Sequence, residues 1–304
     1  MKKLDLAGII PAPIVPMTKD YEIDETALRT YIRWLLVQKP KGFAVNVDTG
    51  EGAHLFIEEK KRIVSIYKEE VKGEVPIVAG LYANFTKEAV QQAQELKKAG
   101  ADAVLVAPIP AYQGSNLDLQ IPYLYHKAIA EQADIPIVLF RLQKALAGKE
   151  YEREIIEKLV SINKVVAIKE ATFDALKFKD AVSLLRDTNI TILTGNDNFL
   201  LESFILGATG ALLGIGAIGI KELKDMLEGV NEKNFAKAFA ASEVFQPLTD
   251  VIFGSPVRDY RARTKEALVM MGVIKNATVR PPLLPISAAE KEVVKQALRK
   301  AKYI

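Results

Sequence analysis

Short runs of almost wholly apolar residues recur along the first two-thirds of the chain, and glycine or proline bounds many of them. Eight such runs begin near Gly8, Gly42, Pro76, Ala103, Pro136, Val165, Ile190 and Gly210. A strand that is apolar at every position suits a sheet covered on both faces, as parallel sheets are. The pattern therefore predicts eight buried, parallel strands.

The segments between the runs have helical periodicity. The first two carry apolar residues at Leu28, Tyr31, Ile32, Leu35 and Leu36, and at Ile63, Val64, Tyr67 and Val71. This spacing predicts amphipathic helices that cover the sheet. Asp24, Thr86 and Thr172 are the predicted N-caps of three helices, and Gly100 is a predicted helix end.

Eight strand-helix units, spaced roughly 20 to 35 residues apart, match a (β/α)8 TIM barrel better than an open doubly wound sheet. We assign the barrel to residues 1–224. Strand signals stop after it, and residues 225–304 are predicted to form a C-terminal helical region. Its helices are expected around 235–245, 257–271 and 287–302, and the last one begins with a capping box at 287–290.

Composition indicates an ordinary globular protein of 304 residues, 49% hydrophobic and 26% charged, with a net charge of +3. No cluster interleaves arginines with aromatic residues, so nucleic-acid binding is not expected. Prolines at positions 11, 13 and 16 break the apolar stretch near the start. We therefore expect neither a signal peptide nor a membrane span.

The absence of cysteine excludes disulfides, iron–sulfur clusters, thiolate-bound zinc and thiol catalysis. It also makes a reducing cytoplasm the expected compartment. The only histidines, His54 and His126, lie far apart and fit no metal-ligand spacing. We expect no metal site.

Lys169 is the leading candidate for chemistry, because it directly follows the apolar run 165–168. An amine at the end of a buried strand loses solvation, which favours the neutral, nucleophilic form that a Schiff base requires. The alternative is a structural lysine that reaches into water. Barrel enzymes carry their sites at the C-terminal ends of the strands, which favours the functional interpretation.

The other strand ends supply the remaining candidates for this mouth of the barrel. They are Asp48, Thr49, Tyr82, Phe140, Arg141, Asn196 and Asp197. A second motif, GxGxxG at Gly214–Gly219, follows the eighth run and keeps a phosphate-binding site open as an alternative. The favoured explanation is that a tight barrel turn requires these glycines.

With these motifs in place, the whole chain resembles the family of dihydrodipicolinate synthase and N-acetylneuraminate lyase, which are pyruvate-dependent class I aldolases and dehydratases. The most specific match is Ala167–Ala171, which looks like the family's segment with the Schiff-base lysine. Further matches are Thr49-Gly50-Glu51 with the second half of a GTTGE loop, and Gly80, Asn84 and Thr86 in the third-strand segment. The last are Thr194–Asp197 with Gly207 and Gly210, and Arg280–Leu283 with a late RPP segment.

The resemblance implies that Lys169 attacks the ketone of a 2-keto acid, either pyruvate or a 2-keto-3-deoxy sugar acid, and forms an iminium. It further implies that Thr49 holds the substrate carboxylate and that the backbone carbonyl near Leu212 faces the same pocket. No metal or organic cofactor is implied. Family members are often tetramers, so a homo-oligomer is expected.

The sequence also departs from the family. The GTTGE loop begins here as Val47-Asp48, and Phe140 stands where the family has a tyrosine that transfers protons. The aromatic pair expected after the fourth strand is replaced by Ile109-Pro110, with Tyr112 two positions beyond. Loss of a general acid–base costs on the order of 10² to 10⁴ in rate, so another proton source is needed.

Asp48 is the best replacement, with Tyr82, Tyr112 and Glu170 ranked behind it. An anionic Asp48 would repel a substrate carboxylate, so either its pKa is raised or a cation such as Arg141 compensates. Arg141 could equally be a solvated or inter-subunit arginine. Glu51 and His54 are interpreted as loop-fixing residues, and Asn196 and Asp197 as caps of the next helix.

Two functional alternatives remain besides a lyase. A family member that has lost the proton relay would retain the fold and bind a keto acid or a partner without turnover. A phosphate-binding barrel enzyme would instead use the Gly214–Gly219 loop.

Overall fold

A computed structural model of the chain describes residues 4–112 and 118–304 and contains one eight-stranded sheet. All neighbouring strand pairs are parallel, in the order β1-β8-β7-β6-β5-β4-β3-β2. The strands are β1 Ile9–Pro11, β2 Phe43–Val45, β3 Ile77–Leu81, β4 Ala103–Val106, β5 Ile137–Leu142, β6 Val165–Ala171, β7 Thr191–Thr194 and β8 Gly210–Leu213. Each lies at a predicted apolar run.

Helices alternate with the strands and cover the outside of the sheet. The barrel helices are α1 Glu25–Leu36, α2 Ile57–Val71, α3 Thr86–Ala99, α4 Gln120–Gln132, α5 Arg153–Val160, α6 Ala175–Leu185, α7 Leu200–Leu206 and α8 Lys221–Asn231. Between the two ends of the sheet, the backbone amide of Lys41 donates to the carbonyl of Ile9 at 2.8 Å. The predicted barrel is confirmed.

Three helices follow the barrel: α9 Phe235–Ile252, α10 Tyr260–Met270 and α11 Ala288–Lys300. They form the predicted helical extension. The proposed boundary between residues 224 and 225 falls inside α8, the helix of the last strand-helix unit, which packs against α9.

Two apolar cores follow from the closed sheet. The inner core fills the barrel with side chains such as Ile10, Val78, Leu105, Phe140 and Leu212, all at most 1% exposed. The larger outer core lies between strands and helices. Side chains alternate between the two because successive residues of a strand face opposite sides of the sheet.

Two of the predicted N-terminal caps are confirmed and two are wrong, and Gly100 ends α3 as predicted. Asp24 caps α1, and 287–290 form the capping box of α11. Thr86 is instead the first residue of α3, and α6 is capped by Asp174 rather than Thr172. The Asp174 carboxylate accepts from two backbone amides, and a charged acceptor makes a stronger cap than a hydroxyl.

His126 on α4 makes stability sensitive to acid. Its side chain is buried, with Nδ1 at 2.7 Å from the carbonyl oxygen of Pro122, and burial lowers its pKa to about 4. Below the ordinary histidine pKa of about 6.5 the unfolded chain takes up a proton that the folded protein refuses. The contribution of His126 to stability therefore falls as the pH drops below 6.5, and it falls no further below pH 4.

We expect this group to remove roughly 3 kcal/mol of the free energy of unfolding between pH 7 and pH 4. Urea unfolding at several pH values, for the wild type and for His126→Gln, measures it. The remaining titratable groups are the same in both proteins, so the difference between the two pH profiles isolates the effect of His126. Parallel profiles would show that the imidazole does not resist protonation.

Candidate active site at the mouth of the barrel

Lys169 lies inside β6, which continues three residues beyond the apolar run 165–168, to Ala171. It pairs in register with Phe140 on β5, and its Nζ lies 4.5 Å from the centre of the Phe140 ring. Ala167 and Ala171, two residues away on either side, belong to the inner core. The Lys169 side chain therefore points into the barrel rather than into water.

Burial lowers the pKa of Lys169, and attraction to Asp197 and, more weakly, to Asp48 acts against this effect. The residue is only 7% exposed. A lowered pKa increases the fraction of neutral amine near neutral pH, and the neutral amine is the nucleophile. The desolvated amine predicted from the sequence has the environment that Schiff-base chemistry needs.

Asp197 was among the strand-end candidates for the mouth, but its interpretation as a helix cap is wrong. It does not cap α7, whose N-cap Phe199 makes no side-chain hydrogen bond. Asp197 is buried instead, and its Oδ1 accepts a hydrogen bond from the amide of Ile215 at 3.2 Å. Burial raises its pKa, and Lys169 and the amide act against that. The only signal in the sequence was an acidic residue close behind an apolar run.

Hydrogen bonds between Asn196 and Glu170 join β6 to the loop that follows β7. Asn196 Nδ2 donates to the Glu170 backbone carbonyl at 2.9 Å and to its Oε2 at 2.7 Å. Glu170 follows Lys169 in the strand and so faces the opposite side of the sheet. This orientation disfavours Glu170 as the proton source for Lys169, and Asn196 is not a helix cap either.

The cation that compensates Asp48 is Arg261, from α10. Arg261 Nη2 forms an ion pair with Asp48 Oδ1, and its Nε donates to the Asp48 backbone carbonyl at 2.8 Å. The predicted pairing of Arg141 with Asp48 is wrong. Arg141 is buried rather than solvated, lies 3.8 Å from Glu170 Oε1, and donates to the carbonyl of Lys177 at 3.0 Å.

A second residue of α10 reaches the same place. The Tyr260 hydroxyl donates to Asp48 Oδ2 at 2.9 Å, and its oxygen lies 3.2 Å from Thr49 Oγ1. Its ring stacks on Phe253 with centroids 4.6 Å apart. Asp48 and Thr49 open a short 3-10 turn after β2, so the C-terminal region closes over the strand-two loop.

The Gly214–Gly219 loop is occupied by the protein itself. The amide of Ile215 donates to the Asp197 carboxylate, and the amide of Ala217 donates to the carbonyl of Gly214. A Cβ on Gly219 would lie 2.0 Å from the Tyr303 hydroxyl oxygen. Close packing explains the glycines, and a carboxylate on the loop opposes a phosphate, so the phosphate-binding alternative loses its support.

Leu212 and Phe140 both lie in the inner core close to the mouth. Within residues 4–112 and 118–304, no group of three or more histidine, aspartate and glutamate side chains could hold a metal ion, and no helix is long and apolar enough to cross a membrane. Lys169, Asp48 and Asp197 are ionisable groups that interact at this mouth.

Comparison with known proteins agrees with this geometry. The model of the dihydrodipicolinate synthetase family matches residues 5–301. The 4-hydroxy-tetrahydrodipicolinate synthase of Syntrophus aciditrophicus is 31% identical, over 96% of this chain and 97% of that protein. The synthase of Pseudomonas putida is also 31% identical, over 97% and 98%.

A solved structure extends the similarity to three dimensions. The chloride-inhibited dihydrodipicolinate synthase of Acinetobacter baumannii, complexed with pyruvate, superposes with a TM-score of 0.88 at 26% identity, covering 99% of this chain and all of that one. The motif-based prediction is confirmed. The chain belongs to the dihydrodipicolinate synthetase family and is a lyase of the dihydrodipicolinate synthase type.

Proposed function

We propose that this lyase acts on a 2-keto acid, pyruvate or a 2-keto-3-deoxy sugar acid, through a Schiff base on Lys169. The observation that carries the proposal is a buried lysine with a lowered pKa, pointing into a barrel mouth ringed by polar strand-end residues. The relatives named as synthases, and the pyruvate in the Acinetobacter baumannii enzyme, support the same substrate class.

The neutral amine of Lys169 attacks the carbonyl carbon to give a carbinolamine, and protonation of the carbinolamine hydroxyl followed by loss of water gives an iminium. The positive nitrogen then accepts electrons from an adjacent breaking bond. In the condensation direction, loss of a C3 proton yields an enamine, which attacks an aldehyde. In the reverse direction, carbon–carbon cleavage yields the same enamine. Departure of a hydroxyl group from the enamine of a sugar acid gives the dehydratase outcome.

Thr49 binds the keto-acid carboxylate through its hydroxyl and backbone amide, and the carbonyl near Leu212 faces the same space. Phe140 forms the apolar wall beside the reacting nitrogen. Arg261 neutralises Asp48 and so removes the repulsion that an anionic Asp48 would exert on the substrate. Arg141 follows Phe140 in β5 and so faces the other side of the sheet, beside Glu170, which disfavours its predicted role in binding substrate.

Borohydride reduction tests the Schiff base. We expect pyruvate or a 2-keto-3-deoxy acid, with borohydride, to add the mass of one reduced adduct per chain, and peptide mapping to place it on Lys169. Lys60 is the internal control, since burial also lowers its pKa but it lies over the Tyr82 ring. An adduct on Lys60, or none with any keto acid, would refute the assignment.

Turnover separates an enzyme from a mere keto-acid binder. A binder would form the adduct without consuming the substrate, whereas we expect the wild-type lyase to consume it. A cytoplasmic location and a homo-oligomer, dimer or tetramer, stay predictions; gel filtration tests the second.

A further inference from the structure

The Schiff-base site has no hydroxyl beside the reacting nitrogen on β5. Phe140 is there, with its ring 4.5 Å from Lys169 Nζ, and a phenyl ring cannot carry a proton. Yet two steps of the proposed reaction move protons: water leaves the carbinolamine, and C3 loses or gains a proton. Another group must serve them.

Tyr260 offers a hydroxyl at the right end of the barrel. It is 3% exposed, and its hydroxyl lies between Asp48 Oδ2 at 2.9 Å and Thr49 Oγ1 at 3.2 Å. Thr49 is the proposed carboxylate-binding residue, so the phenol lies beside the substrate's position. The Asp48 charge also acts on Lys169, which ties this cluster to the amine.

The surroundings fix the ring and keep the hydroxyl protonated. Phe253 stacks on one side at 4.6 Å, and a Cβ on Gly214 would come within 2.7 Å of Phe253 and 3.3 Å of the Tyr260 ring. Burial raises the pKa of the phenol well above its usual value, and the Asp48 charge adds to this. The group is thus a neutral hydroxyl that relays a proton rather than a free phenolate.

We propose that Tyr260 is the proton-transferring hydroxyl of this enzyme, delivered by the C-terminal helix α10 in place of a strand-five tyrosine. This inference rests on the proposed Schiff-base function. When C3 is deprotonated, the C–H bond breaks and its electrons form the enamine double bond, neutralising the iminium. The proton goes to the Tyr260 oxygen, whose own proton moves to Asp48 Oδ2. The reverse transfer protonates the enamine, so no other reactant is needed.

In this arrangement Arg261 is a positioning residue. It holds Asp48 by its Nη2 and Nε contacts and donates from Nη1 to the Arg258 carbonyl at 2.9 Å. Asp48 thereby acts as a proton acceptor through Tyr260 rather than directly on substrate. The proton relay and the fold of the C-terminal region depend on the same contacts.

Exchange of the pyruvate C3 hydrogens for deuterium in D₂O, followed by NMR, tests the relay without knowledge of the second substrate. We expect Tyr260→Phe to lower the maximal exchange rate roughly 10² to 10⁴-fold, with less change in the pyruvate concentration at half-maximal rate. The variant keeps the stacked ring. Borohydride at saturating pyruvate should still trap the adduct on Lys169, which shows that the site is formed.

Tyr125→Phe is the matched control. This tyrosine is also buried, on α4, and its hydroxyl has no hydrogen-bond partner among the described residues. It should exchange at the wild-type rate. The role of Tyr260 would be overturned if Tyr260→Phe exchanged deuterium at the wild-type rate, or if Tyr82→Phe and not Tyr260→Phe lost exchange. Either result would leave the Schiff base unaffected. A wild-type protein with neither adduct nor exchange would overturn both proposals.

Discussion

Replacing Lys169 by arginine or methionine is expected to lower keto-acid turnover by roughly 10⁴-fold or more. Arginine keeps a positive charge at the site but stays protonated and cannot form an iminium. Methionine keeps an unbranched side chain of similar length without a nucleophile. Both variants should also lose the borohydride adduct, while the barrel remains folded by circular dichroism.

Lys60→Met is the control for this experiment. Lys60 is also buried, and burial also lowers its pKa, but it lies on α2 rather than at a strand end, and we expect it to be dispensable for turnover. We expect activity within a few-fold of the wild type. Substantial turnover in Lys169→Arg would show that the chemistry does not proceed through this amine.

The barrel could be predicted from the sequence because its physical signal is local. Several strands, such as 103–106, are apolar at every position, and the helices between strands repeat their apolar residues at helical spacing. Strand ends in a parallel barrel share one mouth, so Lys169, Asp48 and Thr49 could be assigned to it without coordinates. The end of β6 was underestimated, because Lys169 and Glu170 have ionisable side chains and are nevertheless buried.

The contribution of α10 could not be predicted in this way. Its residues Tyr260–Leu268 are all buried although four of them carry charge, so no apolar stripe marks the face that it turns to the barrel. The contacts of Tyr260 and Arg261 with Asp48 also span 212 and 213 residues. Only the folded chain shows that Arg261, and not the nearby strand-end Arg141, neutralises Asp48.

Asp197 illustrates a different limit. A polar residue after a strand usually caps the next helix, and that general rule favoured the wrong role here. Whether such a residue turns toward the barrel axis depends on one or two dihedral angles of the loop. The hydrogen bond from the Ile215 amide sets that orientation, and it comes from the loop after the neighbouring strand.

Breaking the buried ion pair between Lys265 and Glu51 is expected to have a large effect on stability. Both side chains are fully buried, and Lys265 Nζ also donates to the Thr278 carbonyl at 2.6 Å. The other Glu51 oxygen accepts from the amide of Arg280 at 2.8 Å. Removing one partner leaves an uncompensated buried charge, so Lys265→Met or Glu51→Gln should each lower the free energy of unfolding by about 3–5 kcal/mol.

A double-mutant cycle distinguishes this cause from general disruption. The double variant Glu51→Gln with Lys265→Met leaves no charge unpaired. Its loss of unfolding free energy, measured by urea unfolding, should therefore be much smaller than the sum of the two single losses. The exposed pair Arg62–Glu25 is the reference, and Arg62→Ala should cost no more than about 1 kcal/mol. Additive losses in the cycle would mean that packing, and not the unpaired charge, is what the single variants disturb.

The same ion pair links the two halves of the proposed proton relay. Glu51 follows the turn that contains Asp48 and Thr49, and Lys265 follows Tyr260 on α10. Weakening the pair should therefore also slow pyruvate exchange.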